Sequence, residues 1–140
     1  MPLKIELKPD ERLIIGNAAI RNGPRRSTFV IETNTKFLRE SDIITESEAD
    51  TPCKRLYFAL TLMYLADDAT LAENSFVEQA NALMEAAPSM KPYIAAIYEQ
   101  VQGGDLYRAL KRGKDLLAYE AQLRSLLENN SAKAETADAS

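Results

Sequence analysis

Arg21, Arg25 and Arg26 bracket an Asn22-Gly23-Pro24 turn, and they are the residues with most chemistry to offer. A guanidinium group is planar, permanently charged and carries several donors in a fixed fork. Three of them at a tight turn can grip phosphates and stack on unpaired bases. Arg12, Lys36 and Arg39, with Lys54 and Arg55 beyond, extend the patch if folding brings them to one side. On residue types alone, a solvated surface turn accounts for the same cluster.

The other clusters have plainer readings. Lys111, Arg112 and Lys114, with Arg108 one turn earlier, alternate with Asp115 and Glu120 as the solvent face of a helix would. Glu46, Glu48 and Asp50 form an acidic run without the glycine-turned pattern of a calcium loop, ahead of a helix start that favours negative charge. The chain has no histidine, which removes imidazole acid–base catalysis, histidine-activated nucleophiles and histidine metal ligands. A single cysteine, Cys53, rules out an internal disulfide and any cysteine-rich zinc site; it reads as a buried structural thiol. No glycine spacing matches a phosphate-cradling loop. No catalysis, metal or cofactor is expected.

The elements that must position these residues change character near Thr45. Leu3, Ile5 and Leu7 alternate with Lys4, Glu6 and Lys8, the period of a half-buried strand. Short apolar runs follow at 13–15, 18–20, 28–32, 37–38 and 43–44, separated by turn signals at Pro9-Asp10, Gly16-Asn17 and Asn22-Gly23-Pro24. Beyond Thr45 the apolar spacing is helical. Thr51 before Pro52 starts one helix, apolar on two sides; Thr70 with Glu73 has capping-box spacing for a second. Ser89 and Pro92 open a third, ended by Gly103-Gly104, and Asp105 caps a fourth in which Gly113 predicts a kink or a close helix contact. The chain of 140 residues therefore reads as one compact α+β protein. A β-rich antiparallel unit occupies 1–48, about four helices occupy 49–128, and a disordered tail occupies 129–140.

Charge divides along the same boundary. The net charge is −4, yet residues 1–45 hold 8 Lys/Arg against 6 Asp/Glu, while the remainder holds 9 against 15. Any attraction to nucleic acid must come from the strand half. The longest apolar-rich stretch, 56–66, is too short for a membrane span, and charges at Lys4, Glu6 and Lys8 interrupt any signal core, so a soluble cytoplasmic protein is expected. In the helical half, Leu106, Tyr107, Leu110, Leu117 and Tyr119 form a stripe that can host a partner helix or a second copy of the chain.

The segments LKPDERLIIGNAAIRNG (7–23), Pro24-Arg25-Arg26, FLRESDIIT (37–45) and ADTPCKRLYFALTLMYL (49–65) resemble the FlbT family of flagellar biosynthesis regulators. The likeness covers most of the first 65 residues in order and is more diffuse in the later helices. It implies a post-transcriptional regulator that binds the 5′ untranslated region of flagellin mRNA and promotes its decay, opposite a small partner, FlaF. In some bacteria the family acts positively instead. With that resemblance, Arg12, Arg21, Arg25, Arg26, Lys36 and Arg39 become the expected RNA contacts. The alternative is an adaptor or chaperone that engages flagellin or a FlaF-like protein through the helical stripe.

Overall fold

The computed structural model describes residues 2–138, with side chains over 2–130. Five short strands come first: β1 (Leu3–Leu7), β2 (Arg12–Ile15), β3 (Ala18–Arg21), β4 (Ser27–Ile31) and β5 (Phe37–Arg39). Four helices follow: α1 (Pro52–Leu65), α2 (Thr70–Ala86), α3 (Lys91–Gln102) and α4 (Leu106–Asp138). The expected α+β architecture is the one observed.

The strands form two small antiparallel sheets, β1 with β4 and β3-β2-β5. Alternation along β1 buries Ile5 and Leu7 and turns Lys4 and Glu6 outward. Ile5 sits opposite Phe29 of β4, so both enter the same small core with Leu7 and Leu13. β2 and β3 are joined by Gly16-Asn17, a two-residue hairpin that places Gly16 at φ +57, a conformation that favours glycine.

β5 links this small core to a larger helical one. Phe37 lies opposite Ile15 and packs into the small core, whereas Leu38, opposite Ile14, enters the core built on Leu56, Leu60, Phe76, Ile94 and Leu110. Adjacent strand residues point to opposite faces, so one three-residue strand serves both. Ile43 and Ile44, expected as a further strand, lie instead between single 3-10 turns at Glu40–Asp42 and Glu46–Glu48 and pack against the helical core.

Thr51 caps α1 by accepting the Lys54 N–H at 3.1 Å, and Pro52 takes the first helical position, as its missing N–H allows. Buried Glu120 of α4 completes this end, accepting the Thr51 hydroxyl at 2.5 Å and the Cys53 N–H at 3.3 Å. Glu120 is thus an interhelix cap, where the sequence reading made it a surface partner for lysines. The second apolar side of α1 is only half covered, since Leu62 stays exposed. The expected capping box at α2 is replaced: Thr70 is already helical and donates its hydroxyl (2.6 Å) and N–H (3.1 Å) to Asp68.

α3 starts after a turn at Pro88–Met90 and ends at Gly103-Gly104, with Gly104 at φ +77. Asp105 accepts the Arg108 N–H at 3.0 Å and opens α4. Asn129 and Asn130 do not end that helix; most of the tail expected to be disordered falls outside the residues whose side chains are described. α1 and α4 pack antiparallel, with contacts at Thr51–Glu120, Tyr57–Gly113 and Tyr64–Tyr107. The middle contact is the close approach predicted at Gly113. A Cβ there would lie 3.0 Å from the Tyr57 ring.

Candidate nucleic-acid interface

The six expected cations do not converge on one surface. Arg12 and Arg21 face each other directly across β2 and β3, a like-charge pair that needs outside compensation. Arg12 finds it in Glu40 at 3.3 Å and Glu48 at 3.2 Å, and its side chain is mostly covered. The Thr45 hydroxyl, then Arg12, hold the Glu48 carboxyl below its ordinary range. Arg12 therefore pins the strand unit to the segment leading into α1. It is no free phosphate contact.

Alternation along β5 separates the next two. Arg39 points toward β1, donating to the Glu6 carbonyl at 2.7 Å with the Glu11 carboxylate 3.9 Å away. Lys36 lies on the helical side, its ammonium 5.5 Å from the Tyr64 ring centre.

Arg21, Arg25 and Arg26 keep their charges free of carboxylates among the described residues. Arg21 donates to the Asp10 carbonyl at 2.9 Å, a neutral acceptor that leaves its charge uncompensated. Arg25 and Arg26 are exposed and make no ion pair among the described residues. Their loop is held by Asn22. Its amide donates to the carbonyls of Lys8 at 2.8 Å and Arg25 at 2.9 Å, and its oxygen accepts the Ser27 hydroxyl at 2.9 Å. The Asp10 N–H donates to Gly23 at 3.0 Å, and Asp10 itself sits at φ 60. The paired turns at 8–11 and 22–26 are thus cross-braced, which reduces the entropy lost when a ligand orders the loop.

Beside this loop, Lys4, Lys8, Arg26 and Arg39 line a groove of about 630 Å³ that also holds Glu6 and Glu11. Lys4 and Lys8 were missed in the sequence, although the outward face of the β1 alternation already carries them. Asn22 was read only as a turn residue; its bonds to the Leu7 and Lys8 carbonyls depend on how the two turns meet in the fold.

The helical clusters are more internal than expected. Arg108 and Arg112 pair locally with Asp105 at 3.4 Å and Asp115 at 3.1 Å. Lys111 and Lys114 both clasp Asp42, a buried carboxylate contributed by the strand-rich half, with Lys111 at 3.1 Å. Of the proposed partner stripe, Leu110 is buried in the core and cannot meet a partner. Leu106 and Leu117 are half-buried against the core, and Tyr119 stacks on Tyr93 at 4.5 Å. Tyr107 alone is open, at 45% exposure. Cys53 is buried beside Met90 at 3.6 Å, and burial, then Glu120, pushes its thiol up to about 12. No described helix is long and apolar enough to cross a membrane.

The fold and site define a small α+β protein, a strand unit with a braced loop of uncompensated arginines docked on a core of four helices. The chain belongs to the FlbT family: the family model for flagellar protein FlbT matches residues 3–124. It is 43% identical over 136 residues to the probable flagellum biosynthesis repressor protein FlbT 1 of Bradyrhizobium diazoefficiens, covering 96% of this chain and 93% of that one. A probable flagellum biosynthesis repressor protein FlbT of Rhodopseudomonas palustris is 39% identical over 125 residues, 89% of this chain and 99% of the relative. The flagellum biosynthesis repressor protein FlbT of Caulobacter vibrioides is 34% identical over 125 residues, 86% of this chain and 87% of the relative. No solved structure matches.

Proposed function

We propose that this chain represses flagellum biosynthesis after transcription, by binding the 5′ untranslated region of flagellin mRNA in the cytoplasm and promoting its decay without cutting RNA itself. The observation that carries this reading is the loop braced by Asn22, which presents Arg25 and Arg26 unpaired beside a cationic groove. Phosphates bind Arg25 and Arg26 first, and Lys4, Lys8 and Arg39 follow the backbone along the groove. With an overall charge of −4, affinity comes from this local field and falls steeply with salt. A filter-binding titration with flagellin leader RNA tests it. Replacing Arg25 and Arg26 with Ala weakens binding and lowers the salt slope by about 1.4, at roughly 0.7 per lost phosphate contact. Asn22→Ala, which keeps every charge but releases the loop, weakens binding as well. Unchanged affinity in the double arginine variant refutes the site.

A second reading is favoured by one observation: Leu62 and Leu71 are exposed beside an open apolar groove between the β2–β3 hairpin and the α1–α2 turn. A protein partner such as flagellin, a FlaF-like protein or a second copy of the chain fits that surface better than the largely covered stripe on α4. Capture of purified flagellin that survives nuclease treatment, and is lost with Leu71→Asp, supports it.

A further inference from the structure

Lys36, Tyr64, Tyr107 and Lys111 form a continuous row across the seam between strands and helices. The Lys36 ammonium lies 5.5 Å from the Tyr64 ring centre, the two tyrosine rings are 6.2 Å apart and tilted by 51°, and the Lys111 ammonium lies 5.0 Å from the Tyr107 ring centre. The row draws on three separate parts of the chain. Lys36 immediately precedes β5, Tyr64 is in the last turn of α1, and Tyr107 and Lys111 are in the first turns of α4.

Three members are anchored to the fold. Lys36 is held by its carbonyl, which accepts the Gly16 N–H at 2.8 Å. Tyr64 is partly buried against the helical core, and Lys111 is tied to Asp42. Tyr107 stands out from this support at 45% exposure, an open aromatic ring on a rigid base.

The charge around the ring is positive. One Asp42 carboxylate is shared by Lys111 and Lys114, so that trio keeps a charge of +1, and Lys36 adds another without an ion pair among the described residues. Exposed Leu62, two residues from Tyr64, is turned about 200° around α1 and lines the separate apolar groove. An open aromatic ring in a row with two cations suits a flat π-system carrying negative charge better than an apolar protein face. A nucleobase with its phosphates has that composition.

We propose that Tyr107, backed by Tyr64, is a stacking platform for unpaired bases of single-stranded RNA, and that Lys36, with the net positive charge of the Lys111–Asp42–Lys114 trio, attracts the phosphates on either side. The inference rests on the RNA-binding reading above in taking RNA as the ligand. It adds a second contact surface built from different residues, one that selects single-stranded over duplex RNA because stacked neighbours in a duplex cover both faces of a base.

The test uses the full chain and a fluorescein-labelled oligouridylate of about 12 nucleotides, with the same strand annealed to its complement as control, read by fluorescence anisotropy. Tyr107→Ala weakens single-strand binding about tenfold, the scale of losing one base–aromatic stack, while Tyr107→Phe retains the ring and the affinity. Lys36→Gln lowers the salt slope by about 0.7. Circular dichroism of each variant checks that the fold is kept. Wild-type affinity in Tyr107→Ala, or equal losses in the Ala and Phe variants, overturns the platform. If the flagellin leader still needs Arg25 and Arg26 in that case, the platform fails alone. A wild-type chain that binds neither the leader nor the oligouridylate overturns both readings. Loss of protein capture by Tyr107→Ala with RNA affinity intact reassigns the ring to a protein partner and overturns the proposal.

Discussion

Gly113→Ala sets two effects of similar size against each other. In an ordinary helix interior the change stabilises by about 1 kcal/mol, because alanine loses less backbone entropy on folding. Here the new methyl would sit 3.0 Å from Tyr57 Cδ2 and 3.2 Å from Leu60 Cδ1, well inside the roughly 3.5–4.0 Å at which carbon atoms attract. The ring has little room to retreat. Tyr57 is buried, and its hydroxyl donates to the Asp42 carbonyl at 2.7 Å, while the Asp42 carboxylate is clasped by Lys111 and Lys114. Overpacking a fixed site costs about 1–3 kcal/mol, so the variant should lose about 1 kcal/mol net, or about 4 °C in Tm. Thermal and urea melts followed by circular dichroism measure this. In a Tyr57→Phe background the ring is released from Asp42, and the penalty for Gly113→Ala should shrink, a coupling that a double-mutant cycle isolates. A Gly113→Ala protein more stable than wild type would refute the argument that the α1–α4 approach is fixed at this point.

Two further outcomes follow from buried ionisable groups. Burial pushes Asp42 up, but hydrogen bonds from Lys114 and then Lys111 outweigh it and hold the carboxyl below its ordinary range. That stabilisation is present above the usual carboxylate pKa of about 3.9 and is lost as pH falls through the lowered value. Asp42→Asn should therefore cost about 1–2 kcal/mol near neutrality, discounted for the partly exposed lysines, and clearly less at about pH 3; urea melts showing equal loss at both would contradict it. Cys53, with its thiol raised to about 12 and its side chain fully covered, should resist a thiol reagent at about pH 8 until urea unfolds the chain. Rapid labelling of the native protein would place it at the surface instead.

The fold was largely legible because its signals are local. Period-two alternation marks β1, Thr51-Pro52 marks the start of α1, and Gly103-Gly104 with Asp105 marks the α3–α4 corner. Thr70 shows where local reading fails: its spacing to Glu73 suits a capping box, but Asp68 is a charged acceptor two residues away and captures the hydroxyl. The candidate site was legible only in part. Arg25 and Arg26 could be singled out from their turn, and Lys4 and Lys8 from the outward side of β1. Arg12 could not be judged, because its acidic partners lie 28 and 36 residues ahead. Nor could Lys36 and Arg39 be separated before the pairing of β5 with β2 decided which side each faces. Burial of Leu110 and Glu120 depends in the same way on how α4 lies against α1.

The placement of β5 bears on whether either half can exist alone. Leu38 has its neighbours among the helices, whereas Phe37, its adjacent residue, has them among the strands. A fragment cut near residue 48 would leave Leu38 and Ile14 facing water and Arg12 with the end of its tether frayed. Such a peptide should aggregate or stay unstructured, and the intact chain should denature as one sigmoid, with arginine loop and tyrosine row lost at the same midpoint.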